Sequence, residues 1–165
     1  MKVNTGQNLK IRKASIEDVS TILSLIKEIA DYEKLLNEVT ATEDLLKKNL
    51  FGENAYAEVL LAEYENKPVG QALFFHNFST FVGKPGIYLE DIYVKQEMRG
   101  KGIGKALFAE LIRLAKERDC GRLEWAVLNW NQSAIDFYEN LGAVPMNGWT
   151  VYRLDEEKIE LLFKG

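Results

Sequence analysis

The chain has 165 residues, an apolar content of 47% and a formal net charge of −4, which together predict one globular domain over residues 1–165. The acidic balance lacks the basic footprint that usually accompanies nucleic-acid binding, so we expect no nucleic-acid partner. The single cysteine cannot form an internal disulfide, and we recognise no signal peptide and no membrane-spanning run. These features predict a cytoplasmic protein without a membrane partner.

The first half of the chain predicts two helices and a hairpin. Leu9–Lys13 is typical of a short strand, and Ser15 followed three residues later by an acid is a helix-capping pattern. Apolar residues at helical spacing then predict a helix that ends near Tyr32–Glu33. The further elements are a helix capped by Thr40 or Thr42 that stops at 51–54, strands 57–63 and 69–78, and a loop 79–86.

The second half of the chain places a glycine-rich loop between a strand and a helix. The predicted elements are strand 89–94, the loop, helix 103–119, strand 123–128, helix 131–141, strand 150–154 and a tail helix 156–163. A right-handed crossover sets strand 123–128 parallel to strand 89–94. The predicted fold class is α/β (α+β), a mixed, mostly antiparallel sheet with helices on both faces. Such sheets bind ligands at the carboxyl ends of strands where the strand order changes.

The loop Arg99–Lys105 has the composition of an anion-binding loop. Gly100, Gly102 and Gly104 leave the backbone N–H groups unobstructed and permit positive φ. The first N–H groups of the following helix lack intrahelical partners and carry about half a positive charge. A diphosphate suits this arrangement, although the glycines alone also suit a tight turn without a ligand. The spacing does not match a P-loop or a dinucleotide-binding fingerprint.

A second motif begins at Asn131, which has the position of a helix cap. Tyr138 follows seven residues later and lies on a similar side of the helix. The pattern alone also suits a capped helix with Phe137 and Tyr138 in the core, so the residues leave both interpretations open.

These motifs resemble those of the GNAT-superfamily N-acetyltransferases. R-x-x-G-x-G, from Arg99 to Gly104, is similar to their acetyl-CoA pyrophosphate loop, and N-x-x-A-x-x-F-Y-x-x-x-G-A, from Asn131 to Ala143, is similar to their closing motif. Four further blocks resemble the diamine (spermidine/spermine) and thialysine N-acetyltransferases, with the third closer to the thialysine type. They are Leu25–Glu33, Tyr88–Val94, Ala126–Gln132 and Gly148–Trp149, within a likeness that spans about residues 9–154.

The resemblance implies acetyl-CoA as acetyl donor, bound where the parallel strand pair splays apart. Backbone groups of Ile92, Tyr93 and Val94 then hold the pantetheine arm like an added strand. The residues that then bind the diphosphate are Arg99, Gly100, Lys101, Gly102, Ile103, Gly104 and Lys105. The residues that line the other wall of the cofactor site are Asn131, Ser133, Ala134 and Tyr138.

The resemblance also implies two catalytic residues. Tyr138 is expected near the thioester sulfur as a proton donor, and Glu90 is the expected base that takes a proton from the substrate ammonium. Asp91 is adjacent, and since side chains alternate along a strand, it should point to the opposite face unless a bulge intervenes.

The substrate implied by the resemblance is a primary amine of a small polyamine or of a lysine-like molecule such as thialysine. Glu33 then pairs with a distal cation and Tyr32 packs on the methylenes, while Glu90, Asp91 and Trp149 complete the substrate-binding set. Pattern alone leaves Tyr32–Glu33 as a frayed helix end and Trp149 as a core indole.

Two other functions remain open at the level of sequence: a non-catalytic module that binds CoA or an amine, and acetylation of protein lysines or amino termini. The resemblance further implies a homodimer. His76 is the single histidine and has no cysteine or acid at ligand spacing, so we expect no metal. Cys120 follows the end of a helix, where nothing activates its thiol.

Overall fold

A five-stranded sheet with the order β1-β2-β3-β4-β5 organises the first part of the chain in the computed structural model, which describes residues 8–165. Strands β1 to β4 pair antiparallel, and β5 pairs parallel to β4. The strands are β1 (Leu9–Lys13), β2 (Glu58–Tyr64), β3 (Lys67–Ser79), β4 (Lys84–Val94) and β5 (Leu123–Trp125). The mixed, mostly antiparallel sheet predicted from the sequence is confirmed.

Three helices cover the two faces of this sheet. They are α1 (Val19–Tyr32), α2 (Glu43–Phe51) and α3 (Ile103–Glu117). Ile22 and Leu25 of α1 and Leu50 of α2 form one core cluster with Leu61 of β2. On the other face, Phe108 of α3 meets the Trp125 ring edge-on at 5.0 Å between centroids. Helices on both faces are therefore also confirmed.

The start of α1 is held by a charged cap that also ties it to β1. The carboxylate of Asp18 accepts a hydrogen bond from the Ser15 N–H at 2.8 Å, at the 3-10 turn Ile16–Asp18 that leads into α1. The same carboxylate accepts hydrogen bonds from both terminal nitrogens of Arg12, at 2.7 and 2.8 Å. These bonds hold the pKa of Asp18 well below its usual range, with the Arg12 hydrogen bond as the main cause.

A β-bulge interrupts the ladder between β3 and β4. Leu73 pairs with Asp91 and the next residue, Phe74, pairs with Leu89, so Glu90 faces no residue on β3. A bulge of this kind leaves one extra residue unpaired and bends its strand.

Strand β5 is shorter than the sequence indicated, because the predicted strand 123–128 ends at Trp125. The ladder between β4 and β5 covers only the pairs Ile87↔Leu123 to Leu89↔Trp125 and stops where the bulge begins. A bent strand cannot keep its neighbour in register, so β4 runs on to Val94 without a β5 partner in the described sheet.

The chain divides into two compact units, residues 1–126 and 127–165. The second unit contains α4 (Gln132–Asn140) and α5 (Glu156–Lys164). The Asn131 side chain caps α4 by accepting from the Ala134 N–H at 3.3 Å, as predicted. The predicted strand 150–154 is wrong, since residues 127–165 contain no strand. A strand needs a neighbour for its backbone groups, and this unit supplies none.

None of the helices among residues 8–165 combines the length and apolar character needed to cross a membrane.

Candidate active site

The glycine-rich loop leads directly into the amino terminus of α3. Gly100 and Gly102 have φ values of 77° and 79°, a region that favours glycine. Gly102 is also the residue that precedes the first turn of α3, and it offers no side-chain cap to the N–H groups there. Nothing lies within 4 Å of a Cβ built on either glycine, so the approach to these amides is open. This end of the helix fits a diphosphate.

Arg99, at the start of the loop, directs its side chain toward the end of α1. Its Nε donates to the carbonyl oxygen of Val94 at 3.2 Å. The guanidinium carbon lies 4.4 Å from the centroid of the Tyr32 ring and 5.9 Å from that of Tyr93. The predicted cofactor residue Arg99 and the predicted substrate residue Tyr32 are therefore in contact, a relation that the sequence did not reveal.

The bulge in β4 brings Glu90 and Asp91 to the same face of the sheet. Leu89 pairs with Trp125, which packs on α3, so the next residue, Glu90, faces away from α3. Asp91 pairs with Leu73, which packs against the core cluster under α1. Both acids thus lie on the α1 face, because the bulge that the sequence analysis allowed as the exception to strict alternation is present.

These acids belong to a cluster with an unusual charge balance. Burial, with the charges of Glu90 and Glu33 adding to it, raises the pKa of Asp91 to about 6. Burial also raises the pKa of Glu33, at the carboxyl end of α1. Within residues 8–165, neither Asp91 nor Glu33 forms a hydrogen bond or an ion pair through its carboxylate. A group of uncompensated carboxylates attracts a cation.

The second unit holds the other predicted cofactor residues and is described by itself. Asn131 Oδ1 accepts from the Ser133 hydroxyl at 3.2 Å as well as from the Ala134 N–H. Tyr138 lies on α4, where its ring meets that of Phe137 edge-on at 5.5 Å between centroids. Trp149 is 74% exposed, so it is not a core indole.

His76 and Cys120, which the sequence analysis did not place in the site, have ordinary surroundings. His76 Nε2 lies 3.4 Å from Arg118 Nη1, and burial raises the pKa of the Cys120 thiol. Across the described residues, no group of three or more His, Cys, Asp or Glu side chains is placed to hold a metal ion.

Comparison with known proteins identifies the family. The model of the acetyltransferase (GNAT) family matches residues 22–143, and the chain belongs to this family. A thialysine N-epsilon-acetyltransferase from Bos taurus is 39% identical over 163 residues, which span 92% of this chain and 95% of that protein. A human spermidine/spermine N(1)-acetyltransferase-like protein 1 is 32% identical over 169 residues, 96% of this chain and 24% of that protein.

A solved structure confirms the fold. An integron cassette protein from the mobile metagenome of V. cholerae superposes with a TM-score of 0.82 and 26% identity, covering 97% of this chain and 100% of that protein. The protein is an N-acetyltransferase with acetyl-CoA as its acetyl donor, and its likeness to the thialysine and spermidine/spermine branch is confirmed.

The buried charge of Asp91 should destabilise the free protein above pH 6. Because the folded-state pKa is raised, the penalty is absent below the ordinary value near 4, grows as pH rises, and is complete above about 6. We therefore expect Asp91→Asn to raise the free energy of unfolding by roughly 2 kcal/mol at pH 8 and by less at pH 5. Urea unfolding at the two pH values measures this, with the exposed Asp31→Asn as control. Equal or lower stability of Asp91→Asn at pH 8 would contradict the assigned environment.

Proposed function

We propose that this enzyme transfers the acetyl group directly to a primary amine of a small cationic substrate, either a polyamine or a lysine-like molecule such as thialysine. The observation that carries the proposal is the cluster of Glu33, Glu90 and Asp91 on the α1 face of the sheet, beside the part of β4 that follows Leu89. The names of the bovine and human relatives, which refer to thialysine and to spermidine/spermine, support the same class of acceptor.

The proposed cofactor site combines the loop with the free edge of β4. Arg99 and the amides of 100–105, with Lys101 and Lys105, bind the diphosphate, and backbone groups of Ile92, Tyr93 and Val94 bind the pantetheine arm. Support comes from the uncapped first turn of α3 and from the ladder that stops at Leu89. Asn131, Ser133, Ala134 and Tyr138, in the second unit, are the further proposed cofactor-binding residues. Bound acetyl-CoA supplies the acetyl group as a thioester.

The proposed role of Glu90 follows from the protonation state of the acceptor. An ammonium with a pKa near 10.4 is neutral in only about one molecule in 2,500 at pH 7, so a base must take its proton. Glu90 is exposed at the bulge and is the proposed acceptor of that proton, directly or through water. Asp91 holds the same ammonium in place by its negative charge.

The rest of the acceptor is proposed to extend toward the end of α1. Glu33, half-buried and without an ion-pair partner among residues 8–165, pairs with the distal ammonium, and the Tyr32 ring packs on the methylenes. Trp149 is the proposed aromatic residue at the mouth of the site, and its large exposure is compatible with contact to a ligand. Tyr138 is the proposed proton donor to the departing thiol.

We also propose that the enzyme is a cytoplasmic homodimer without a nucleic-acid or membrane partner. The formal net charge of −4 and the single cysteine support the absence of nucleic acid and the reducing compartment. The dimer rests on the resemblance of the four sequence blocks.

An acetyl-transfer screen tests the function. Release of the CoA thiol is measured with spermidine, putrescine, thialysine, lysine and a lysine-containing peptide as acceptors. We expect release with one or more of the small amines and little with the peptide, because compact acidic sites favour compact cations. Release with no amine would indicate a binding module, and preference for the peptide would indicate a protein acetyltransferase.

Removing the phenolic hydroxyl tests the proton donor. Tyr138→Phe should lower kcat by about 100-fold or more, the usual contribution of a general acid, while the affinity for acetyl-CoA stays near that of the parent enzyme. Tyr152→Phe, at a tyrosine that is 91% exposed, is the matched control and should retain full turnover. A Tyr138→Phe variant with normal kcat would show that another group donates the proton.

Neutralising the proposed base tests the other proton transfer. Glu90→Gln should lower the rate at neutral pH and shift the pH–rate profile upward, because the variant depends on substrate that is already deprotonated. The exposed Glu97→Gln on the same segment is the control for a general change in charge. An unchanged profile in Glu90→Gln removes this residue as the base.

A further inference from the structure

The side chain of Gln71, on β3, is fully buried without a hydrogen-bond partner in the protein. Its exposed fraction is 0%, and within residues 8–165 neither the amide nitrogen nor the carbonyl oxygen forms a hydrogen bond. Burial of an unpaired amide costs the full desolvation of both atoms. Buried polar groups in native proteins are almost always hydrogen-bonded, so an unpaired one indicates a bound water or a functional role.

The strand register places Gln71 on the α1 face of the sheet. It lies between Leu61 of β2 and Tyr93 of β4, and both of these residues belong to the core cluster under α1. The next pair on the same face of the β3–β4 ladder is Leu73 with Asp91. Gln71 and Asp91 are therefore diagonal neighbours, which have a Cβ separation of roughly 7–8 Å.

Asp91 has the complementary deficit. Within residues 8–165 its carboxylate accepts no hydrogen bond and forms no ion pair. A glutamine side chain covers part of the diagonal separation, and one water covers the rest. Such a water can accept from the amide N–H, donate one hydrogen to the carbonyl oxygen of the same amide, and donate the other to Asp91. Three hydrogen bonds are the usual number for a buried water.

We propose that Gln71 and Asp91 together bind one buried water molecule, and that Gln71 is thereby a positioning residue for the carboxylate that holds the acceptor ammonium. The role of Asp91 toward the acceptor rests on the proposed function, whereas the water site does not depend on it. The bridge fixes the carboxylate and supplies it with a donor. A donor stabilises the ionised form of a carboxylate, so Asp91 keeps its charge at neutral pH.

Other charged groups around this part of the α1 face do not supply that donor. They are Glu28 and Glu33 of α1, Glu90 of β4, and Lys95 and Arg99 beyond β4. Lys95 is paired with Glu28 at 3.1 Å, and Arg99 lies over the Tyr32 ring. Burial, and then the charges of Glu90 and Glu33, raise the pKa of Asp91, so only a hydrogen-bond donor opposes them.

A substitution that keeps length and removes both polar atoms tests the bridge. Gln71→Met should move the titration midpoint of the Asp91 carboxyl, followed by carbon-13 NMR, upward by about one pH unit, the worth of one hydrogen bond. Gln96→Met is the matched control, because it removes an exposed amide from the segment after β4 and should leave the midpoint unchanged. The kinetic counterpart is a higher KM for the amine near pH 6.5, with kcat close to that of the parent enzyme.

A crystal structure of the parent enzyme tests the water directly. We expect an ordered water within about 3.2 Å of both the Gln71 amide and the Asp91 carboxylate. Direct contact of the two side chains, or no water between them, overturns the proposal. This measurement also decides the matter if Gln71→Met does not fold.

The remaining outcomes separate the bridge from its role. An unchanged Asp91 titration in a folded Gln71→Met variant overturns the bridge, because an amide that serves no partner can be removed without effect on Asp91. A shifted titration with an unchanged KM for the amine overturns the positioning role. If no amine is turned over at all, the proposed function fails, while the titration and the crystal structure still decide whether the water is bound.

Discussion

The site depends on one residue of β4, Glu90, that has no pairing partner on β3. Without the bulge at Glu90, strict alternation would place Glu90 and Asp91 on opposite faces of β4, one under α1 and one under α3. The bulge turns both carboxylates to the α1 face and coincides with the end of the β5 ladder at Leu89. One local irregularity therefore supplies both the acidic cluster and the free edge of β4.

Among residues 8–165, the carboxylates of the acidic cluster have no ion-pair partner, and their burial lowers the stability of the fold. Other half-buried carboxylates in this chain have guanidinium partners, as Glu58 has Arg118 and Asp18 has Arg12. The hydrogen bond with Arg118 is the main cause that lowers the pKa of Glu58 to about 2, whereas burial and like charges raise the pKa of Asp91 to about 6. A buried charge without a partner lowers stability, and such exceptions are typical of places where a ligand completes the set of interactions.

The residues proposed for the acetyl donor and those proposed for the amine lie next to each other. The loop that opens α3 begins at Arg99, and the side chain of Arg99 lies on Tyr32 at the end of α1. Strand β4 lies between these elements and carries Asp91 on the face toward α1 and an unpaired backbone edge beyond Leu89. The sheet thus fixes the separation between the proposed diphosphate loop and the acidic cluster.

The sequence by itself determined whatever depends on neighbours along the chain. The caps at Ser15 and Asn131 and the glycine-rich entry to α3 were read correctly, because caps, glycine backbone angles and helical periodicity act over a few residues. The glycine loop was recognisable as a candidate anion site for the same reason, whereas the acids of 90–91 were assigned to the site through the resemblance to the family.

Only the tertiary structure decided how distant segments pair. The bulge depends on the register between β3 and β4, which no local pattern in either strand specifies, and so the sequence could not decide whether Asp91 shares a face with Glu90. The same limitation extended strand 123–128 too far and gave residues 150–154 a strand without a partner. The contact of Arg99 with Tyr32 joins residues far apart in the chain, so only the folded protein could place a guanidinium beside the proposed amine site.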